Sequence, residues 1–578
     1  MLRSLKVPLK RYCSRHFQKD LMAGLTVGVI SLPLAMAFAI AAGVKPEYGI
    51  YTTIIAAVLA SLFGGSRYQV TGPTGAFIPI LLSIVLVHGY ENLLLAGLLA
   101  GIILIVMGLL KMGTLIKFIP RPVTVGFTAG IAINIFTGQI ANFLGLTGIQ
   151  GHEGFIDSIR EILLHLDTLN PYSILTAIVC LALILLTPRF LPRIPGSLVG
   201  LLASTALAAF MYPGQVATIA TAFGGIPGGL PHFALPAITV DKLEQLIRPA
   251  FTIAMLGAIE SLLSAVVADG MTGTRHNSNR ELIGQGIANI VTPLFGGIPA
   301  TGAIARTATN IKSGAVTRYS VVISALFVLA TLIVLAPYAG AIPLASMAPV
   351  LMLVAYNMSE HQAFFAILKT RSNSSSVLVV TFLLTVLANL TVAVEVGLLL
   401  AMVIFVKRMS DILVVTKVLP NPENHLSKVA AQSRLDTHDC PQISIFSIEG
   451  PLFFGAAQMF SASIMDTIQY NPRILILRLS KVPFIDLTGE DHLRTIVESL
   501  QKRGIMVLIS GLNDQPQKIL RTTGLAERIG KERFFVHTEH AIAYAMQHAD
   551  AKCCSRCRER IFDGCDAKSE AVANEVPA

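Results

Sequence analysis

The chain has 578 residues, of which 53% are hydrophobic and only 13% charged, with a mean hydropathy of +0.67. Soluble globular proteins carry about 25% charged residues, so an ordinary soluble enzyme is excluded and a polytopic membrane protein is indicated. The net charge of +10 implies no nucleic-acid partner, because much of the excess precedes the first apolar run.

That flank, residues 1–20, holds Arg3, Lys6, Lys10, Arg11, Arg15 and Lys19 against Asp20 alone. Such a basic segment marks the cytoplasmic side of a first transmembrane helix. The apolar run behind it is too long for a signal-peptide core and shows no small-residue cleavage pattern, so it is read as retained. Long apolar runs then alternate with short polar loops. Candidate spans fall near 22–42, 48–64, 92–111, 123–145, 172–188, 197–212, 248–269, 282–296, 318–337, 341–356 and 376–406. The last is long enough for two helices turned tightly around Asn389. After about residue 408 the chain becomes ordinary and charged, as a soluble domain outside the membrane is.

Two shorter pieces, 74–87 and 301–311, cannot cross a bilayer alone as helices. Pro and Gly cluster before each, as expected where a helix is broken. They also resemble each other. LFGGSRYQVTGP leads to Thr74, Gly75 and Ala76, and LFGGIPA leads to Thr301, Gly302 and Ala303. Interrupted segments in corresponding positions of two halves point to a transporter's binding site. The halves run from about 20 to 236 and from about 241 to 407. Seven elements in each give an even count, which leaves both termini in the cytosol.

Each short piece, if helical, starts near the bilayer midplane with unpaired N–H groups, a site for an anion. Thr74 and Thr301 add hydroxyls, with simple helix capping as their blander role. Arg306 adds a positive charge, either as an anion ligand or as a partner for Glu260. Glu260 is the one carboxylate within the apolar run 249–268. Burying it costs about 3 kcal/mol on insertion scales, so it calls for a reason. It shares a helix face with Gly257 and Ser264. There it is expected to carry a coupling proton, or to bind Na⁺ with Ser264. Asp269 is placed at an aqueous end, His276 is read as a loop residue, and His88 and His232 are assigned nothing.

Four ordered stretches then resemble the SulP/SLC26 anion transporters, the sulfate permeases: 20–52, VTGPTGAF (70–77), 258–289 and FGGIPATGAIARTATN (295–310). The resemblance implies fourteen segments in a seven-plus-seven inverted repeat over 21–408, with two short half-helices in the core. It also implies a typically dimeric protein of the cell membrane and a cytoplasmic STAS domain. The anion site is then expected at Thr74, Gly75, Ala76, Phe77, Thr301, Gly302, Ala303 and Arg306, with Phe38 as an aromatic wall. Glu260 falls at the family's cation-coupling position. Na⁺-coupled bicarbonate importers tend to have Asp there, whereas Glu resembles the proton-coupled members. One departure stands out: many eukaryotic members have Gln after the Pro of the first segment, where this chain has Leu34. The wording around LPLAMAFAI is similar to a bacterial branch that includes C4-dicarboxylate uptake.

Beyond a linker at 409–441, strand-like ISIFSI (443–448), ILILRL (474–479) and MVLIS (506–510) alternate with helical patterns, an α/β arrangement. GPLFF and the IDLTG turn (485–489) resemble the STAS fold over 442–549. Leu487 stands after Asp486 where soluble STAS regulators carry a phosphorylatable Ser, so dimer contact or a cytoplasmic protein partner is the expected role. The tail, 550–578, is read as flexible. It holds Cys553, Cys554, Cys557 and Cys565 at spacings that fit no standard zinc pattern, so no metal is assigned and reduced thiols are expected. No phosphate loop of the G-x-x-x-x-G-K-[ST] type is present, and no cofactor is called for beyond the coupling ion. The expected function is secondary active anion uptake with H⁺. Na⁺-coupled bicarbonate transport, C4-dicarboxylate uptake, exchange and an uncoupled channel are the alternatives.

Overall fold

The computed structural model describes residues 14–114, 120–152, 154–190, 194–229, 231–388, 390–420, 429–431, 440–456, 460, 464, 472–555, 557, 561, 562 and 565. The chain divides into two compact units, 1–401 and 402–578, each taken by itself below.

The first unit opens with α1 (Ser14–Ala41) and α2 (Pro46–Phe63). Proline at the first turn of α2 suits a position whose N–H lacks a partner in any case. An extended run then reaches β1 (Thr71–Gly72), and a single tight turn over Gly75–Phe77 leads into the short α3 (Ile78–His88). Next come α4 (Tyr90–Leu109), α5 (Arg121–Leu144), α6 (Phe155–Leu164), α7 (Pro171–Phe190), α8 (Gly196–Met211) and the short α9 (Ile219–Phe223). The order then repeats. α10 (Val240–Thr272) and α11 (Ser278–Leu294) precede β2 (Thr301–Gly302) and the short α12 (Ile304–Lys312). α13 (Tyr319–Ala339), α14 (Leu344–Met358), α15 (His361–Lys369), α16 (Asn373–Leu387) and α17 (Leu390–Ser410) follow. Among the described residues, seven helices are long and apolar enough to cross a membrane: α1, α2, α4, α5, α7, α10 and α13. The two helices expected within 376–406 are α16 and α17, and the turn expected at Asn389 lies outside the described residues.

Packing follows the repeat with its two halves interleaved. α1 lies on α13, and the counterpart α10 lies on α4; α4 lies on α11 as α13 lies on α2. A second group repeats the rule, with α5 on α16 and α14 on α7. Small residues set these crossings, because within lipid helices associate through close packing rather than through hydrophobicity. At the α4–α11 crossing a Cβ on Gly101 would sit 2.7 Å from the Gly286 carbonyl oxygen, and one on Gly286 would sit 2.6 Å from that of Gly101.

The second unit is a six-stranded sheet with strand order β4-β3-β5-β6-β7-β8. β3 (Val414–Pro420) and β4 (Val429–Ala431) are antiparallel, as is β3 on β5 (Ile443–Glu449). β5, β6 (Ile474–Lys481), β7 (Met506–Ser510) and β8 (Phe534–Phe535) run parallel. The continuous apolar runs of β5, β6 and β7 are those of strands buried on both faces. Two expectations are corrected here. Residues 409–441 are not simply a linker, since they supply β3 and β4. The tail is not wholly free either: Ala551–Ser555 is helical, and Cys554, Phe562 and Cys565 are buried on the sheet beside Ile443, Ile445 and Leu508. The helix expected after Gly450 falls partly outside the described residues. Asp486 caps Leu487–Lys502: its Oδ1 accepts from Gly489 N at 2.7 Å and its Oδ2 from Phe454 N at 3.0 Å.

Two outcomes are expected. Gly101→Leu and Gly286→Leu each force α4 from α11 and cost about 1–3 kcal/mol, read as a lowered melting temperature of the purified protein. Asp486→Ala removes a cap worth about 1 kcal/mol, and its lowered unfolding midpoint is checked by denaturant titration of the full chain.

Candidate functional site

The two broken segments meet at β1 and β2. Thr71 pairs with Gly302 and Gly72 with Thr301, antiparallel, and Ala303 N donates to Val70 O at 2.8 Å. This register corrects the sequence alignment of the two TGA triplets. Thr301–Gly302 is the counterpart of Thr71–Gly72, so Thr74, Gly75 and Ala76 lie three places beyond the matching point. The first repeat spends those residues on an added turn ahead of α3.

Neither short helix is capped by a side chain at its N-terminus. Thr74 occupies the cap position of the turn that opens the first, yet its hydroxyl donates to Glu260 Oε2 at 2.9 Å. The Thr301 hydroxyl donates to Gly257 O at 3.1 Å and meets Ser261 Oγ at 2.8 Å. Both threonines are therefore tied to α10, and the capping role weighed for them is not what they do. The first N–H groups of each short helix stay free of side-chain acceptors, which is what an anion at a helix N-terminus uses.

Arg306 sits one turn into α12 and is 3% exposed. Its Nη2 donates to Pro73 O, while Nη1 has no protein partner. No direct ion pair joins it to Glu260, and the two charges act on each other only at longer range. Arg306 fastens α12 to the residue ahead of Thr74 instead. Ser264, grouped with Glu260 on the sequence, is not at its side: its hydroxyl donates to Thr307 Oγ1 at 3.1 Å. Ser261 holds the place nearer the crossing, accepting from Gly302 N at 3.0 Å.

Phe38 and Phe77 are both buried. A Cβ on Gly257 would meet the Phe77 ring at 3.3 Å, so Phe77 lies across α10. A Cβ on Gly75 would meet Ile135 at 3.4 Å, Met358 at 3.6 Å and Phe38 at 3.7 Å. The first short helix therefore faces α1 on one side and α5 and α14 on the other, at the contact between the two helix groups. Ile135, Met358 and Ser261 were missed on the sequence. The first two look like any other apolar helix residues there, whereas Ser261 falls outside the helix face that Glu260 shares with Gly257 and Ser264. A cavity of about 860 Å³ lies elsewhere, at the far ends of α8 and α13, lined by Lys45, Glu47, Tyr212 and Thr218. His276 is a loop residue, as read, but a fixed one. Its Nδ1 lies 2.7 Å from Asp269 Oδ2 and its Nε2 lies 3.0 Å from Ser278 Oγ, which clips α10 to α11.

Broken segments meeting between interleaved repeats, joined to an α/β unit, define a polytopic membrane transporter of the inverted-repeat class with a STAS domain. The chain belongs to the sulfate permease family: residues 17–381 match that family and residues 434–541 match the STAS domain. It is 50% identical to "Putative sulfate transporter YvdB" of Bacillus subtilis, over 91% of this chain and 98% of that one. It is 31% identical to "Bicarbonate transporter BicA" of Synechocystis, over 88% and 90% respectively. The structure of SLC26A9 shares the fold with a TM-score of 0.83 at 19% identity, covering 95% of this chain and 92% of that one. The transmembrane domain of a cyanobacterial BicA aligns with a TM-score of 0.59 at 31% identity, covering 67% of this chain and 98% of its own. The protein is a membrane transporter of anions and not an enzyme.

Gly75→Ala is expected to fold, since its methyl group reaches only ordinary van der Waals distances. It narrows the space between Phe38, Ile135 and Met358, so transport assays should show a raised KM with an unchanged melting temperature.

Proposed function

We propose that this chain takes up a small oxyanion, sulfate in the first instance, together with a proton carried on Glu260. The observation that carries the reading is the 2.9 Å hydrogen bond from Thr74 Oγ1 to Glu260 Oε2. It joins the one carboxylate of the apolar stretch of α10 directly to the residue that opens the first short helix. An ionised Glu260 beside an anion at that helix is repelled by it. At an effective permittivity of about 20, two unit charges about 6 Å apart cost about 3 kcal/mol. Protonation removes that cost, so anion and proton favour each other's binding, and the coupling is reciprocal.

The proton is favoured over Na⁺ because Ser264, the side chain that was to complete a cation shell, is engaged with Thr307. Arg306 spends Nη2 on Pro73 O rather than on the carboxylate and keeps Nη1 without a protein partner near the crossing. Sulfate is placed first because the relative at 50% identity carries that name, with bicarbonate and succinate as the competing outcomes. The binding residues in this reading are Phe38, Thr74, Gly75, Ala76, Phe77, Thr301, Gly302, Ala303 and Arg306. The reading extends to a homodimer in the cell membrane with both termini in the cytosol, supported by the basic flank ahead of α1 and by the even count that two seven-element repeats imply. The STAS domain then faces a cytoplasmic protein partner.

Proteoliposomes decide it. Labelled sulfate, bicarbonate and succinate are offered with an inward proton gradient, with a Na⁺ gradient and with neither. Sulfate uptake driven by the proton gradient alone is expected. Glu260→Gln should lose that drive, falling to the rate without a gradient, while sulfate exchange survives. Flux that ignores both gradients and survives the substitution contradicts the reading.

A further inference from the structure

We propose that a hydrated polar column runs through the membrane unit from the short-helix crossing to the cytoplasmic end of α2 and α11, conducting the coupling proton between Glu260 and the cytosol by a route separate from the anion's. The inference rests on the reading of Glu260 as the proton carrier.

The column follows the extended run from Gly64 to Gly72. Non-helical backbone at membrane depth persists only where other groups satisfy it, and here polar side chains do so at nearly every step. Glu281 Oε2 accepts from Gly65 N at 2.8 Å and Ser66 N at 2.9 Å. Asn310 Nδ2 donates to Tyr68 O at 2.9 Å, and Val70 N donates to Thr307 Oγ1 at 3.0 Å. Gln285 Nε2 donates both to Thr71 Oγ1 at 2.8 Å and to Glu281 Oε1 at 2.9 Å. Arg306 then reaches Pro73, and Thr74 reaches Glu260. A succession of polar groups thus leads from the buried Glu281 to the half-buried Glu260.

The succession has more polar atoms than protein partners. Among the described residues, twelve buried side-chain nitrogen or oxygen atoms lack a partner, and five of them belong to this one run. They are both amide atoms of Gln69, Gln285 Oε1, Asn310 Oδ1 and Arg306 Nη1. All four residues are at least nine-tenths buried. Each orphaned group is costly to bury unless something bridges it. Ordered water does this in protein interiors wherever several polar groups converge. Waters among Gln69, Gln285, Arg306 and Asn310 complete these bonds and form the links of a proton path.

The matching run of the other repeat behaves differently. Ahead of β2, Gly296 O accepts from the Tyr90 hydroxyl at 2.6 Å and Ile298 O from Thr52 at 3.1 Å. Asn289 holds both the N–H and the carbonyl of Ala300 at 2.8 Å. No charged side chain takes part, and only Thr292 Oγ1 is left over. The repeat is symmetric in helices and asymmetric in water-binding capacity, with the wet arm on the side of α1's basic flank. A proton entering with the anion must leave inward. Glu281 lies at that end of the arm, and its charge acts on Arg318, as do those of Arg280 and Arg67. The transfer is a relay: the Glu260 carboxyl gives its proton to the water chain, Glu281 accepts one from its far end, and Glu281 releases it to the cytosol.

The test uses the full chain in liposomes. Hydroxyl-radical footprinting of the wild-type protein should label residues 65–72 and leave 296–302 unlabelled. Gln69→Leu and Gln285→Leu should cut proton entry, read with an internal pH dye during sulfate uptake, by about tenfold, with sulfate exchange kept within about twofold. An unlabelled run overturns the proposal. So do variants that keep wild-type proton entry, and variants that lose exchange as severely as proton entry. Wild-type protein with no proton drive at all removes the Glu260 reading and the conduit with it, whereas a failure confined to the two glutamine variants leaves Glu260 standing.

Discussion

Two residues from each broken segment hold the membrane unit together: Thr71–Gly72 against Thr301–Gly302. A helix interrupted inside a bilayer exposes N–H and C=O groups that lipid cannot satisfy. The antiparallel pairing satisfies them for both segments at once, and it fixes where each short helix begins. The pairing stops short of the helices themselves, and neither N-terminus has a side-chain cap. That leaves the free donors and the positive dipole ends. Ser261 and Thr301 then anchor the crossing to α10, which places Glu260 beside it.

The repeat explains the architecture but not the direction of work. Helix packing is interleaved and nearly symmetric, from α1 on α13 and α10 on α4 to the second group around α5 and α14. The charges are not: Glu260, Glu281 and Arg306 all come from the second half. A symmetric pair of broken helices can hold an anion from either side. Setting one carboxylate at the crossing and a polar run on one arm gives the two sides different chemistry.

Much of this was legible in the sequence. Runs of about twenty apolar residues report helices because bilayer thickness fixes their length, and the broken segments announced themselves by Pro and Gly ahead of short apolar pieces. Glu260 was visible because a lone carboxylate in such a run has few bland explanations. What could not be read was register and partnership. The TGA triplets invited an alignment three residues out, since nothing in the letters says that Thr71, not Thr74, faces Gly302. Ser264 lies on the Glu260 side of an ideal helix wheel, yet a hydroxyl goes to whichever partner tertiary packing supplies, here Thr307. β3 was hidden because Lys417 and Pro420 interrupt its apolar pattern, as befits a strand away from the doubly covered centre of the sheet. Ile135 and Met358 carry no chemical signal at all and are recognised only by what they face.

The central claim is that the anion and the proton meet at this crossing, and the most direct measurement is proton uptake on anion binding. Purified protein in weakly buffered detergent is titrated with sulfate while the pH is followed, for wild type and for Glu260→Gln. The account predicts uptake of up to about one proton per site at a pH where Glu260 is ionised in the absence of sulfate, and none in the Gln variant, with sulfate still bound. Equal proton uptake by both proteins, or sulfate binding by wild type with no proton taken up at any pH, would contradict it.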